Sequence, residues 1–96
     1  MFEFNLSDEL KFVIKKLLRK DRGEVEIINK KIREIVKSDK DSIQHYKNLK
    51  YDLKDYKRVH IDKSFVLVFK VDIANNFILF VDFDYYDKSY KKKFSL

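Results

Sequence analysis

The sequence predicts an α+β fold, in which an N-terminal edge strand and an antiparallel helical hairpin precede a mainly antiparallel sheet in the order β-α-α-β-β-β. The hairpin is expected to pack on one face of that sheet. Three observations predict this fold. Apolar residues follow a helical period early in the chain and a strand period late in it, and 96 residues contain one Gly and no Pro. The length favours a single domain spanning residues 1–96.

The N-terminal part predicts a strand followed by a helix. Residues 2–6 alternate apolar with polar side chains, which is typical of a short, half-buried edge strand. Ser7 is a suitable N-cap for a helix near residues 8–20. The apolar residues of that helix form one stripe with helical spacing: Leu10, Val13, Ile14, Leu17 and Leu18.

A second helix is predicted near residues 22–37, because Asp21 and Glu24 have the spacing of a capping box. Its apolar face consists of Val25, Ile28, Ile32, Ile35 and Val36. The break between the two helices is short, and this indicates an antiparallel hairpin. The polar residues 38–42 are expected to form a loop.

The last half of the chain predicts strands near residues 56–61, 64–71 and 76–83. In the first of them Val59 and Ile61 point to one face. The residues expected on the other face are Tyr56, Arg58 and His60. The other two strands are apolar runs that should form a hairpin around a turn at Asn75 and Asn76, and the first run should be covered on both sides.

The charge of the protein restricts its partners. It has 22 Lys and Arg against 16 Asp and Glu, a net charge of +6, which favours nucleic acid, an acidic protein or an anionic membrane surface as partner. The absence of Cys excludes disulfides and thiol catalysis. Two histidines without cysteine predict no metal site, and the single Gly excludes a phosphate-binding loop, so no cofactor is expected. No apolar run is long enough to span a membrane and no signal peptide is visible, so we expect a cytoplasmic protein.

Few side chains are candidates for chemistry. His60 can transfer a proton near neutral pH and Arg58, two residues before it on the same strand face, can hold a phosphate. The alternative is an ordinary strand histidine with a hydrogen bond. Basic and aromatic residues interleave at Lys47, Lys50, Lys54 and Lys57 with Tyr46, Tyr51 and Tyr56, as in a nucleic-acid surface, although a solvated lysine-rich face has the same composition.

Two motifs occupy the second half of the chain. The first runs from Leu49 and Leu53 through Tyr56 and Arg58-Val59-His60-Ile61 to Phe65-Val66-Leu67-Val68-Phe69. The second is Asp84-Tyr85-Tyr86-Asp87-Lys88-Ser89-Tyr90. With the helical hairpin before them, these motifs resemble the toxins of the RelE/ParE superfamily, closest to the RelE/YafQ-type branch, whose members have R-x-H-I or similar on the strand and D-H-H-D-K-x-Y near the end. The resemblance covers essentially the whole chain.

That resemblance implies a RelE-like fold and the toxin of a type II toxin–antitoxin system. Such toxins enter the ribosomal A site and cut translated mRNA without a metal ion, and an antitoxin, expected here to be acidic, holds them inactive. By position, His60 matches the proton-transfer residue of the family strand and Arg58 matches a phosphate-stabilising position. Tyr90, with Tyr86 close by, matches the C-terminal aromatic that stacks on a base or supplies its hydroxyl. The expected RNA-binding residues are Lys47, Lys50, Lys54, His45 and Lys88.

The chain departs from the family pattern at several positions. Tyr85-Tyr86 stands where relatives have His-His, and a phenol with an ordinary pKa near 10 is a poor base at neutral pH. Ser64-Phe65 stands in place of an Asp-Trp pair, and Val66 in place of an arginine. Two alternatives therefore stay open. One is a ParE-like inhibitor of DNA gyrase, which the strand and tail motifs disfavour. The other is a weakly catalytic or non-catalytic basic relative.

Overall fold

The structure is a computed structural model that describes residues 1–50, 53–62 and 64–85. These residues form β1 (Glu3–Leu6), α1 (Asp8–Lys20), α2 (Arg22–Val36), α3 (Lys40–Ile43), β2 (Lys47–Asn48), β3 (Tyr56–Ile61), β4 (Phe65–Asp72) and β5 (Phe77–Tyr85). The six predicted elements are all present and lie close to their expected bounds. The prediction of an α+β fold is therefore confirmed.

The start of α1 is tied to the sheet by its capping residue. The Ser7 hydroxyl oxygen accepts a hydrogen bond from the amide of Leu10 at 3.1 Å and donates its own proton to the carbonyl of Val81 at 2.9 Å. Asp8 and Glu9 occupy the first turn, where the helix dipole favours negative charge. One hydroxyl group thus caps the helix and fixes it against β5.

A single residue separates the two helices. The amide of Asp21 donates to the carbonyl of Leu17 at 2.7 Å, and its carboxylate accepts from the amide of Glu24 at 3.1 Å. Asp21 therefore ends α1 and caps α2. The reciprocal half of the predicted capping box is not formed, because the amide of Asp21 donates to Leu17 and not to the side chain of Glu24.

Two short elements were not predicted. Residues 38–42 were expected to form a loop, but α3 begins in this segment, with the Asp39 carboxylate accepting from the amide of Ser42 at 2.7 Å. Ile43 is fully buried and holds this turn against the core. The two residues of β2 form a strand only through their pairing with β3, so no local pattern could indicate them.

The sheet has the strand order β1-β5-β4-β3-β2. β1 pairs parallel with β5 at one edge, and the other pairings are antiparallel. The predicted edge strand and mainly antiparallel sheet are thus confirmed. The turn between β4 and β5 contains Asn76 at a φ of 54°, a left-handed conformation that asparagine tolerates.

The two faces of the sheet carry different apolar clusters. The face under α1 and α2 carries the main core, made of Phe2, Leu10, Ile28, Ile32, Ile35, Val36, Ile43, Ile61, Leu67, Phe69, Ile78, Phe80 and Phe83. The opposite face, called here the open face, carries a small cluster made of Leu49, Leu53, Tyr56, Val66, Val68 and Val81. β4 is covered on both sides, as its continuous apolar run predicts, and the segment before β3 provides the second cover.

A bulge in β5 breaks the alternation of its side chains. Phe69 pairs with Phe80 and Val68 pairs with Asp82, so Val81 is the extra residue. Val81 and Asp82 consequently both face the open side, because directly paired residues point to the same face and Val68 belongs to the small cluster. In the described part of the chain, no helix is long and apolar enough to cross a membrane.

Candidate functional site

Arg58 and His60 lie together on the open face of β3. Val59 and Ile61 pack into the main core, so the alternation of the strand places their neighbours on the other side of the sheet, as predicted. His60 is exposed and Arg58 is half-buried. A guanidinium nitrogen of Arg58, Nη1, lies 2.9 Å from Nε2 of His60.

This contact suits one tautomer of the histidine. A guanidinium has five N–H donors and no acceptor, so a hydrogen bond between these two atoms has Nε2 as its acceptor and requires the ring proton on Nδ1. An unprotonated ring nitrogen beside a fixed cation is the arrangement that can receive a proton from a hydroxyl group near a phosphate.

Two rows of paired residues cross the sheet through this site. Arg58 pairs with Lys47 of β2 on one side and with Val68 of β4 on the other, and Val68 pairs with Asp82 of β5. His60 pairs with Val66, which pairs with Asp84. The open face thus presents cations on β2 and β3 and carboxylates on β5, with a strip of valine between them.

Asp82 is the polar residue that sequence analysis missed at this site. It is 2% exposed, the one buried polar or charged residue among those the structure describes. The sequence signal that could have revealed Asp82 was the alternation of Asp82 and Asp84 at the end of an apolar run. The bulge at Val81 concealed it, because a simple period of two would have placed Phe80 and Asp82 on the same face.

Leu49, Leu53 and Tyr56 cover the flank of the open face and explain part of the family motif. Leu49, Leu53 and Tyr56 form the small cluster with valines of β4 and β5. Tyr56 was expected beside Arg58, and its side chain lies on that face but is 8% exposed. Burial raises the pKa of its phenol, and Lys70 Nζ lies 5.6 Å from its ring centre. These residues hold the segment in place and are not free to bind a ligand.

The predicted RNA-binding residues are spread over two regions. Lys47 is exposed and lies directly opposite Arg58. Lys50 and Lys54 are exposed and follow directly in sequence on Leu49 and Leu53 of the small cluster. His45 is different, because it lies at the end of α3, in a shallow cavity lined also by Ser38, Ser42 and Tyr46. Lys47, and not His45, is therefore the residue that the sheet register places opposite Arg58.

The C-terminal candidates fall beyond the described part of the chain. Tyr86, Lys88 and Tyr90 lie outside the described residues. Tyr85 is the last described residue and stacks on Phe65 at a ring-centre distance of 4.7 Å. Because Phe65 packs against the main core, Tyr85 lies on the helix-covered side, away from His60. Within the described ranges, His, Asp and Glu side chains do not gather in groups of three that could hold a metal ion.

The fold is similar to that of a known toxin. The crystal structure of the isolated Escherichia coli RelE toxin matches with a TM-score of 0.69 over 95% of this chain and 97% of that chain, at 15% identity. At this identity the match shows the fold alone. The architecture described above is therefore the RelE fold, with the helical hairpin on one face and Arg58 and His60 on the other.

Two archaeal proteins are similar to the chain over nearly its full length. A Methanocaldococcus jannaschii protein named "Putative toxin RelE4" is 47% identical over 93 residues, which are 97% of this chain and 95% of that protein. An uncharacterized protein of Methanosarcina mazei is 39% identical over 90 residues, 94% of this chain and 100% of that protein. No protein-family model matches the chain. The chain belongs to the RelE-type toxins.

Proposed function

We propose that this RelE-type toxin is a ribosome-dependent endoribonuclease that cleaves translated mRNA, acting in the cytoplasm as part of a type II toxin–antitoxin system. The observation that carries the proposal is the Arg58–His60 pair, with 2.9 Å between Nη1 and Nε2 on the open face of β3. A cation and an imidazole in contact supply two of the groups that phosphodiester transfer needs at its reacting centre, the phosphate-binding charge and the base.

The reaction is an attack of a ribose 2′-oxygen on the adjacent phosphorus. The 2′-hydroxyl loses its proton to a base, the bond from phosphorus to the 5′-oxygen breaks, and that oxygen takes a proton from an acid. The products are a 2′,3′-cyclic phosphate and a free 5′-hydroxyl, so the protons balance and no water is consumed. The ribosome supplies the position of the mRNA, and the toxin supplies the acid–base and cationic groups.

His60 acts as the base in this proposal and Arg58 stabilises the phosphate. In the free protein Nη1 of Arg58 lies 2.9 Å from Nε2, where it can donate a hydrogen bond to the ring. A phosphate entering between Lys47 and Arg58 offers the guanidinium a charged acceptor, which is a stronger hydrogen-bond partner than an imidazole. Nε2 is thereby released toward the 2′-hydroxyl while the guanidinium remains on the phosphate.

The remaining candidates bind or protonate the RNA. Lys47, Lys50 and Lys54 contact the phosphate backbone beside the reacting group, and His45 and Lys88 extend this surface. Tyr90 stacks on a base or protonates the leaving oxygen, and Tyr86 supports it. Buried Tyr56 is excluded from these roles. The net charge of +6 supports this assignment, because it favours approach to RNA.

A cognate acidic antitoxin completes the system in this proposal. A protein with a net charge of +6 associates rapidly with an acidic partner, and the association weakens as salt is added. The test is to purify the chain with the product of its neighbouring gene and to raise the ionic strength. If no stable complex forms at any ionic strength, the proposal of an antitoxin partner is wrong.

Mapping of mRNA 5′ ends after induced expression tests the nuclease. We expect new ends in register with codons on a reporter message, and the absence of those ends when the start codon of the same message is removed. Cuts that are equally frequent in both messages would show a ribosome-independent nuclease. If neither message is cut, and purified toxin added to programmed ribosomes does not cut either, the nuclease proposal is wrong.

A further inference from the structure

Lys57 points away from the RNA-binding side of the sheet. It lies between Tyr56 and Arg58 on β3, so the alternation of the strand puts it on the same face as Val59 and Ile61. That face is covered by the helices, whereas Arg58 and His60 are on the open face. Composition groups Lys57 with the RNA-binding lysines, but its position in the strand separates it from them.

The ammonium group of Lys57 contacts three oxygen atoms of one short segment. Nζ donates to Asn48 Oδ1 at 2.9 Å, to the carbonyl of Tyr46 at 3.1 Å and to the carbonyl of Gln44 at 3.5 Å. The side chain is half-buried, and this burial lowers the pKa of Lys57. A compact cation with three donors suits three converging acceptors, and these contacts replace the water that burial removes.

Besides Lys57, the ring of Tyr46 attaches this segment to the sheet, because it packs edge-on against Phe69 of β4 at a ring-centre distance of 5.5 Å, and β2 adds a few hydrogen bonds. β2 pairs with β3 through two residues, with Lys47 opposite Arg58 and Asn48 opposite Lys57. Asn48 also donates from Nδ2 to the carbonyl of Lys54 at 2.6 Å. Just beyond β2, the amide of Leu49 donates to the carbonyl of Tyr56 at 2.9 Å. The pairing of a strand of two residues is not stable by itself, because each of its backbone hydrogen bonds contributes only about 0.5–1.5 kcal/mol.

We propose that Lys57 is a positioning residue, whose ammonium group fixes residues 44–48 so that Lys47 lies opposite Arg58 at the site. It does not contact RNA. The consequence for cleavage rests on the proposed nuclease function, but the structural role of Lys57 does not. Displacement of Lys47 would widen the gap that receives the phosphate, and a shift of about 1 Å at such a group can cost up to roughly 10²-fold in rate.

Chemical rescue tests whether the ammonium group itself is required. The protein has no cysteine, so Lys57→Cys provides a single thiol that 2-bromoethylamine converts to a thioether analogue of lysine. We expect cleavage to fall in Lys57→Cys and to return after aminoethylation. Modification of the same thiol with an uncharged methylthio group should not restore cleavage. The matched control is Lys30→Cys on the exposed side of α2, where neither the substitution nor the alkylation should change cleavage. Equal rescue by both reagents would overturn the proposal.

A double-mutant cycle distinguishes positioning from direct RNA contact. If Lys57 acts through Lys47, then Lys57→Met should cost much less in a Lys47→Ala background than in the parent. A direct phosphate contact would instead give additive losses. It would also lower the slope of log affinity against log salt by about 0.7–0.9 for Lys57→Met in both backgrounds. Additive losses with a lowered slope would overturn the proposal.

A structural measurement keeps this inference separate from the nuclease proposal. Hydrogen exchange at the amide of Leu49 should accelerate in Lys57→Met, because the segment before it is released, while the amide of Phe2, bonded to the carbonyl of Val36 at 2.8 Å, should not change. If the parent does not cleave RNA, the proposed function fails and this measurement still decides the role of Lys57. Unchanged exchange at Leu49 would refute the positioning role whether or not the protein is a nuclease.

Discussion

The two faces of the sheet differ in how their side chains are used. Under the helices the strands contribute a continuous apolar surface, with Leu67, Phe69, Ile78 and Phe80 fully buried. On the open face, the apolar contacts among the described residues belong to the small cluster, and Arg58 and His60 occupy the rest of that side of β3. Adjacent residues of one strand therefore belong to different parts of the molecule. We therefore expect substitutions at two adjacent residues of the same strand to have different kinds of effect.

The largest effect is expected at His60. His60→Ala should lower cleavage of translated mRNA by roughly 10²–10⁴-fold, the usual share of general acid–base catalysis. Its free energy of unfolding should change by about 0.5 kcal/mol or less, because the side chain is exposed. The measurements are primer extension on a translated message and denaturant unfolding of the same preparation.

Val59→Ala is the control for this prediction, since Val59 is the preceding residue but packs into the main core. It should lower stability while the folded protein still cleaves at the parental rate. If His60→Ala cleaves at the parental rate, His60 has no catalytic role. A large loss of stability in that variant would mean that the open face is part of the core.

A matched pair of leucines compares the packing of the two faces. Leu67 is 0% exposed in the main core, and Leu49 is 2% exposed in the small cluster. Leucine-to-alanine changes in cores cost about 2–5 kcal/mol, and the cost is smaller where the surroundings can collapse into the cavity. We expect Leu67→Ala near the upper end of that range and Leu49→Ala near the lower end, because Leu49 belongs to the smaller cluster, with fewer buried neighbours around it. Equal losses in denaturant unfolding would show that the two clusters are equally rigid.

The third effect concerns the cation of the site. Arg58→Lys keeps the charge but cannot make a two-pronged contact with phosphate, nor reach Nε2 with the same geometry. The loss of one charged hydrogen bond, about 1.5–3 kcal/mol, corresponds to roughly 10–100-fold in rate. Single-turnover cleavage on programmed ribosomes measures it. Arg19→Lys, at the exposed end of α1, is the control and should cleave like the parent. If Arg58→Lys cleaves at the parental rate, Arg58 contributes only a positive charge and not a two-pronged contact.

Much of this organisation could be predicted from the sequence, because local patterns encode it. The helix bounds follow from the caps at Ser7 and Asp21, and the assignment of Arg58 and His60 to one face follows from the alternation of β3. What the sequence could not show depends on contacts between distant residues. β2 exists only by pairing with β3, and the orientation of Asp82 depends on a bulge in β5. The inward role of Lys57 was hidden for the same reason, since its acceptors belong to residues 44–48, which lie about ten residues earlier in the chain.

A smaller effect on stability is expected at Ser7, whose side chain connects α1 to β5. Ser7→Ala removes both the acceptor for the Leu10 amide and the donor to the Val81 carbonyl. We expect a loss of about 1–2 kcal/mol in the free energy of unfolding, typical of a lost helix cap with a second hydrogen bond. Ser64→Ala, at an exposed turn, should change stability by about 0.5 kcal/mol or less. Similar values for the two variants would mean that neither hydrogen bond of the Ser7 hydroxyl contributes to stability.

The smallest effect concerns pH at the contact between α2 and the turn after His60. Burial, and then the neighbouring carboxylate of Asp62, raises the pKa of Glu24 above its ordinary value of 4.5. A carboxyl whose pKa is raised on folding contributes stability that is fully present below pH 4.5 and is lost as pH rises through the higher, folded-state pKa. Glu24→Gln stays neutral, so we expect its stability relative to the parent to increase as pH rises from about 4 to about 8.

Asp39→Asn provides a comparison of opposite sign, because the backbone amide of Ser42 lowers the pKa of Asp39 below its ordinary value of 3.8. The stability that Asp39 contributes is present above pH 3.8 and is lost as pH falls through the lower, folded-state pKa, so the parent should gain relative to Asp39→Asn as pH rises through that acid range. Denaturant midpoints of the three proteins across pH measure both trends. A constant difference between Glu24→Gln and the parent would show that neither burial nor Asp62 raises the pKa of Glu24 in the folded protein.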